Sequence, residues 1–432
     1  MQKLSLGLLG LGQVGSGLYS ILQNKQRYFL GTKGVSFEIR KIAVRDPGKK
    51  RGVKVPRSLL TKNAMEVIRD PLIPVVVELV GGVREARTFV MEALRHGKHV
   101  VTANKALLAE HGDEIFALAA RKRLWVAFEA SVGGGIPVIK AIREGLVANR
   151  ISAIHSIING TSNYILSQMA DEKIDFREAL QEAQDRGYAE ADPTLDIEGI
   201  DAAHKLAILA RFAFGGKVRF KDIYCEGISR IRSEDILFAE QFGYRIKLLA
   251  IAKAGREGIE ARVQPTLLPK THILANVNGS YNAVLIHGDE TGDILLYGRG
   301  AGSHPTASAV VSDLVDLAKR SVNRYALSGV TEFAGRGILP VKSISSILSR
   351  YYLRFHVFDR PGVLARISKI LGDYSISISD CIQKETNKGK IVPLILLTHD
   401  ASERSVRNAM NAIDRQNVVR AQSQLIRIEA EP

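Results

Sequence analysis

An apolar run, Leu4–Leu9, breaks directly into Gly10-Leu11-Gly12-Gln13-Val14-Gly15. No other feature of this 432-residue chain narrows its fold as much. The run reads as a buried strand, and the glycines allow a strand to enter a helix across a tight turn. In this spacing Gly10 permits the turn, Gly12 lets backbone approach a pyrophosphate, and Gly15 lets helix and strand pack closely. A plain strand–helix turn is the alternative. Context favours the nucleotide loop, because short apolar runs recur at Ile39–Val44, Val75–Leu79, His99–Thr102 and Trp125–Phe128. Helical patterns such as Glu85–His96 and Ala106–Arg121 fill the gaps. Strand and helix in alternation predict a parallel, doubly wound sheet of Rossmann type.

From about Arg150 the pattern changes. A strand at Ile151–Ile158 precedes consecutive helices through Phe214, then strand-like runs at Arg245–Lys253, Ile259–Gln264, Tyr281–His287 and Asp293–Leu296. This order predicts an α+β domain with a mostly antiparallel sheet. At Gly298 the chain reads GRGAGSHPT, with Pro305 suited to a first helical turn and Thr306–Lys319 to a helix. Such an entry exposes backbone N–H groups to a phosphate, so the chain is expected to return here to the nucleotide domain. Gly329–Lys342 reads as a linker. From Tyr351 a separate unit follows in the order βαββαβ, the ferredoxin-like split motif.

The formal charge is +15, but Lys and Arg are scattered among acids, and the densest run, Lys49-Lys50-Arg51, is short. Steering of phosphate-bearing small molecules accounts for this better than nucleic-acid binding does. No apolar run approaches the roughly 20 residues of a membrane span. The N-terminus leaves no room for a signal peptide ahead of the first strand. Cys225 and Cys381 form neither a disulfide framework nor metal-ligand spacing, as expected in a reducing cytoplasm.

The densest chemistry lies in GYAEADPTLDIEGIDAAHKLAIL, Gly187–Leu209, with Glu190, Asp192, Asp196, Asp201, His204 and Lys205. Asp201 and Lys205 are four apart and share one helix face. In isolation they would be a surface ion pair, but Gly187, Pro193 and Gly199 break the preceding segment as a pocket loop would. A second lysine, Lys105, follows the His99–Thr102 strand, at the carboxyl end where doubly wound sheets hold ligands. Hydride transfer to an aldehyde builds charge on oxygen, which a protonated lysine can stabilise and then protonate. In reverse a lysine acts as base, and its free pKa of ~10.4 favours alkaline oxidation unless burial lowers it. Glu190 and Asp201 suit a substrate ammonium, and His204 reads as structural.

Three further segments carry expectations. After the second strand Arg45 favours a 2′-phosphate, hence NADP, while the adjacent Asp46 argues for NAD. The turn Glu129–Pro137, EASVGGGIP, offers carbonyls and one carboxylate to a hard cation such as Na⁺, or binds nothing. In NGTSNYIL, Asn159–Leu166, Thr161 or Ser162 is expected to cap the following helix.

With GLGQVGSG, VELVGG, VTANKAL, EASVGGGIPVI, NGTSNYIL, GYAEADPTLDIEGIDAAHKLAILA and GRGAGSHPTA in this order, the chain resembles homoserine dehydrogenase of the long bacterial type over essentially its whole length. The resemblance implies a cytoplasmic NAD(P)-dependent enzyme that interconverts L-aspartate 4-semialdehyde and L-homoserine on the way to threonine and methionine; Arg45 makes NADP the expected preference. It implies Lys205 as proton donor, with Lys105 against cofactor and substrate. Glu190 and Asp201 would bind homoserine, with Asp196 and Gly187 nearby. Gly10, Gly12, Gln13, Val14, Gly15, Arg45 and Gly302 would line the cofactor. Na⁺ positions fall on Glu129, Val132, Gly134 and Ile136. The tail resembles an ACT domain through VFDRPGVLARISKIL, with Ser375 where that family commonly has Gly or Asn. A threonine effector and a homodimer or homotetramer are implied. The corresponding domains are 1–135 (completed by 300–325) for nucleotide, 136–299 for substrate and dimerisation, 326–349 as linker and 350–432 as regulatory domain. Competing readings are another Rossmann dehydrogenase acting on an amino-acid-like substrate, and a metabolite sensor without catalysis.

Overall fold

The structure is a computed structural model that describes residues 2–322, 337–383 and 391–429. The chain forms two compact units, one from Met1–Ser152, Ala203–Asp222 and Asn282–Leu339, the other from Ala153–Ala202, Ile223–Tyr281 and Pro340–Pro432. These units do not follow the boundaries expected at 135 and 299, because the chain crosses between them repeatedly. Residues 326–336 of the expected linker lie outside the described residues. The part that follows is anchored: the Lys217 N–H donates to the Gly337 carbonyl, and the Ile259 N–H to the Pro340 carbonyl.

In the first unit six strands form one parallel sheet: β1 (Gln2–Leu9), β2 (Val35–Ala43), β3 (Leu60–Thr61), β4 (Val75–Glu78), β5 (His99–Thr102) and β6 (Val126–Ala127). Their order is β3-β2-β1-β4-β5-β6. The order reverses between β1 and β4, the switch point where such sheets open a crevice for ligands. Parallel strands are covered on both faces, so they read as continuous apolar runs; every residue of β4 is buried. The helix Ser303–Val322 packs on the helix Gln13–Asn24. There a Cβ on Gly17 would come within 2.6 Å of the Ser303 hydroxyl.

In the second unit the strand Tyr244–Gly255 pairs antiparallel with Gly258–Pro269 and with Ile151–Ile157. The C-terminal region has strands Leu348–Phe358, Ile378–Gln383, Ile391–Thr398 and Gln424–Ile428, with helices Val363–Asp373 and Glu403–Asp414. Leu353, Phe355, Leu394, Leu396, Ile367 and Ile413 make its apolar core. The sequence sets this region apart, yet its edge strand Gln424–Ile428 runs parallel to Gly258–Pro269 and continues that sheet. Buried ions hold the junction. Glu429 accepts from Arg262 at 2.8 Å and pairs with Lys253. Arg354 of the strand Leu348–Phe358 grips Asp235 at 2.6 Å. An ordinary amphipathic strand would not show this, because the arginines are buried by partners far away in sequence.

Ser375 adopts φ +59°, the left-handed region that favours Gly or Asn. Ser375→Gly relieves strain of about 1 kcal/mol, partly offset by the added freedom of the unfolded chain. The expected shift in a urea melt is stabilising and below about 1 kcal/mol; a destabilised variant would contradict this account.

Among the described residues no helix is long and apolar enough to cross a membrane.

Candidate active site

The glycines after β1 divide by cause. Gly10 has φ +100°, and a Cβ there would lie 2.5 Å from the Leu79 carbonyl oxygen. On Gly15 it would lie 2.6 Å from the Gly10 carbonyl oxygen. The protein's own packing therefore demands both. Gly12 is exposed and starts the helix Gln13–Asn24, and no heavy atom lies within 4 Å of its Cβ position. Packing gives no reason for glycine there, whereas a nucleotide phosphate drawn close to the N–H groups of Gln13 and Val14 does. Gly302, φ +118°, precedes the helix Ser303–Val322, whose first hydroxyl donates to the Gln13 carbonyl at 2.6 Å. The two glycine segments thus meet at one helix start. Arg45 follows β2 with its side chain 84% exposed and pairs with Glu85 at 2.8 Å.

Lys105 opens the helix Lys105–Lys122, capped by the Asn104 side chain, which accepts from the Leu107 N–H at 3.1 Å. It stands just beyond the carboxyl end of β5, as expected.

Residues 129–136 form one turn, with Gly133 and Gly134 at positive φ. Glu129 is buried, and its two carboxylate oxygens accept the Ile139 and Lys140 N–H groups, each at 2.9 Å. Its own N–H donates to Asp313 at 2.9 Å. Burial pushes Glu129 up to about 7, against those donors and Lys140, and lifts Asp313 well above the carboxylate range. Among the described residues no group of three or more His, Cys, Asp or Glu is placed to hold a metal. A cation at this turn would depend on main-chain oxygens of Val132, Gly134 and Ile136 beside one carboxylate.

In the second unit one amide gathers two predicted acids. Asn159 Nδ2 donates to Asp196 at 2.6 Å and to Asp201 at 2.9 Å. Its Oδ1 accepts the Ser162 N–H at 2.8 Å. Asn159 is therefore the cap of the helix Gly160–Asp171, in place of Thr161 or Ser162. Those hydroxyls lie inside the first turn and reach outward instead. Thr161 donates to the Tyr188 carbonyl at 2.7 Å and Ser162 to the Asp196 carbonyl at 2.8 Å. Together they tie down the Gly187–Ile197 segment. Gly187 has φ +73° just past the helix Phe176–Asp185. Glu190 stands exposed on the segment, and its carbonyl accepts from the Gln184 amide at 3.1 Å. Asp192 folds back onto Thr194.

Asp201 and Lys205 lie one turn apart on the helix Ile200–Phe214. Asp201 is 5% exposed and Lys205 8%, which excludes an ordinary solvated surface pair. His204, one residue before the lysine, stacks on Phe220 with centroids 4.2 Å apart, a packing role. The place of Asn159 between two acids is what the sequence does not reveal. Its cap position is local, but its two carboxylate partners lie 37 and 42 residues downstream.

Residues 10–129 match the family model "Homoserine dehydrogenase, NAD binding domain", 137–315 match "Homoserine dehydrogenase", and 351–415 match "ACT domain". A homoserine dehydrogenase of Pseudomonas aeruginosa is 46% identical over 99% of both chains. The crystal structure of a homoserine dehydrogenase from Thiobacillus denitrificans superposes with TM-score 0.90 at 47% identity, covering 99% of each chain. A hyperthermophilic archaeal homoserine dehydrogenase mutant in complex with NADPH superposes with TM-score 0.62 at 26% identity, covering 74% of this chain and 98% of the other.

Proposed function

This chain belongs to the homoserine dehydrogenase family, and from that premise we propose that it interconverts L-aspartate 4-semialdehyde and L-homoserine by hydride transfer, with Lys205 as proton donor and base. The observation that carries the reading is the Asp196–Asn159–Asp201 bridge, whose buried end, Asp201, lies one helical turn ahead of Lys205. The bound nicotinamide cofactor supplies the hydride. Asp201, with Glu190 and Asp196, holds the substrate ammonium through charge-assisted hydrogen bonds. Lys205 supplies a proton to the oxygen as charge grows on it, and Lys105 stands against cofactor and substrate. Gly187 keeps the substrate segment close to the helix end it follows.

Gly10, Gly12, Gln13, Val14, Gly15 and Gly302 shape the nucleotide site, and Arg45 inclines it to NADP. A 2′-phosphate would have to draw Arg45 from Glu85. The turn at Glu129, Val132, Gly134 and Ile136 is the proposed Na⁺ site. The C-terminal region is proposed to bind threonine as a feedback inhibitor, in a cytoplasmic homodimer or homotetramer that serves threonine and methionine synthesis.

The test follows reduced-nicotinamide absorbance with L-homoserine at alkaline pH. NADP⁺ and NAD⁺ are run separately, each with and without L-threonine. Homoserine-dependent reduction, faster with NADP⁺ and slowed by threonine, is expected. No reduction by folded, nucleotide-binding protein, and no reverse reaction with the semialdehyde, would sink the assignment; reduction unaffected by threonine would remove only the effector.

Asn159→Asp keeps the helix cap but replaces the donor with a third carboxylate facing Asp196 and Asp201, so it removes the bridge and adds like-charge repulsion. Hydrogen bonds to charged groups contribute about 1.5–3 kcal/mol. The KM for homoserine is therefore expected to rise about tenfold or more, with a lower melting temperature from the added like charge. An unchanged KM would show that the bridge does not shape the substrate site.

A further inference from the structure

One buried acid at the carboxyl edge of the parallel sheet has no part in the roles above. Glu78 ends β4 and is fully buried. It lies in register with Thr102, the last residue of β5. Its Oε1 accepts the Val80 N–H at 2.9 Å, and its Oε2 accepts the Thr102 hydroxyl at 2.6 Å. The Thr102 oxygen accepts the Asn104 N–H at 3.0 Å. The Asn104 amide reaches back to the Gly82 carbonyl at 2.6 Å, while its oxygen caps the helix that Lys105 begins. On its other side this strand end touches the cofactor loop. The Leu79 N–H donates to the Leu9 carbonyl at 2.7 Å, and the Leu79 carbonyl is the atom that forbids a Cβ on Gly10.

Val75, Val76 and Val77 show what a strand buried on both faces requires for packing. A carboxyl group at the next position adds nothing to that packing and is costly to bury unless it is hydrogen-bonded, and a satisfied buried network makes its surroundings rigid. Burial raises its pKa, against the donors of Thr102, Val80, Gly81 and Asn104. What those donors share is position: they set the β4 turn, the β5 turn and the start of the Lys105 helix.

We infer that Glu78 is a positioning residue for Lys105, acting through Thr102 and Asn104 to fix the turn that presents this lysine. The inference rests on the reading of Lys105 as a group against cofactor and substrate. A misplacement of about 1 Å costs roughly 10²-fold in rate.

The test is a double-mutant cycle on the full-length protein with Glu78→Gln, Lys105→Ala and both changes together. Homoserine oxidation gives kcat and KM, and NADPH fluorescence gives nucleotide binding. Glu78→Gln is expected to lower kcat about ten- to a hundredfold with NADPH affinity held within about threefold. The double variant should lose no more than Lys105→Ala alone. Multiplying losses, or wild-type kcat in Glu78→Gln, would overturn the positioning role. Wild-type kcat in Lys105→Ala would instead overturn the reading of Lys105, and the inference with it. Should Glu78→Gln fail to fold, Thr102→Val removes the same relay at nearly constant volume. Its loss must then be absorbed by Lys105→Ala, and independent losses would refute the relay.

Discussion

Lys205→Ala is expected to lower kcat for homoserine oxidation by about 10²–10⁴-fold, the usual contribution of a positioned proton donor or acceptor. The KM for homoserine should change far less, because the Asp196–Asn159–Asp201 bridge does not include the lysine. The helix should survive the change. Alanine has the best helix propensity, and the neighbours Ala202, Ala203, Leu206 and Leu209 are all buried and anchor the same stretch. The loss should therefore appear as slow turnover in a folded protein, checked by circular dichroism, by NADPH titration and by steady-state rates. Lys205→Arg separates charge from proton transfer. A guanidinium keeps the positive charge but does not give up its proton at accessible pH, so it should recover little of the rate. Wild-type turnover in folded Lys205→Ala would sink the mechanism, and strong recovery by arginine would reduce the lysine to an electrostatic role.

How much of this site the sequence discloses depends on how local each cause is. The nucleotide loop is legible because turn, close approach and helix start all lie within Gly10–Gly15. Most of the parallel sheet is legible because burial on both faces writes short apolar runs. β3 is not, since Leu60–Thr61 is a two-residue edge strand without such a run, and Trp125–Phe128 yields only the two residues of β6. Asp201 and Lys205 are visible as a helical pair, but their burial is not, and burial is what separates them from a surface ion pair. Asn159 gave a weak signal as an Asn three residues before Ser162. Its grip on two distant acids is a tertiary fact that no periodicity carries. Glu78 did offer a local sign: a carboxylate closing the otherwise apolar run Val75-Val76-Val77.

The C-terminal strand shows the same limit and leads to the largest stability effect expected. Leu425-Ile426-Arg427-Ile428 looks like a strand with one solvated arginine, yet Arg427 is 1% exposed. Its Nε donates to Glu403 at 2.9 Å and its Nη1 to Glu226 at 2.9 Å, with the Tyr224 hydroxyl at 3.3 Å. Glu403 is fully buried and also takes Arg407 at 2.7 Å. Burial works to raise the Glu403 pKa, but the two arginines outweigh it and hold it below the usual range. Arg427→Met leaves that carboxylate buried with one half-exposed partner, a change that costs about 3–5 kcal/mol. The thermal midpoint should fall by roughly 6–20 °C. Adding Glu403→Leu removes the orphaned charge, so the double variant should be more stable than Arg427→Met alone. The pH dependence has a definite sign. A carboxylate whose folded pKa is depressed stabilises above its unfolded value, ~4.3 for Glu, and loses that contribution as pH falls through the folded one. The wild type should therefore lose stability below about pH 4, and Arg427→Met should lose less over the same range. An Arg427→Met variant that melts with the wild type, or that keeps the full acid dependence, would mean that this buried cluster does not hold the C-terminal sheet to the segment Tyr224–Glu226.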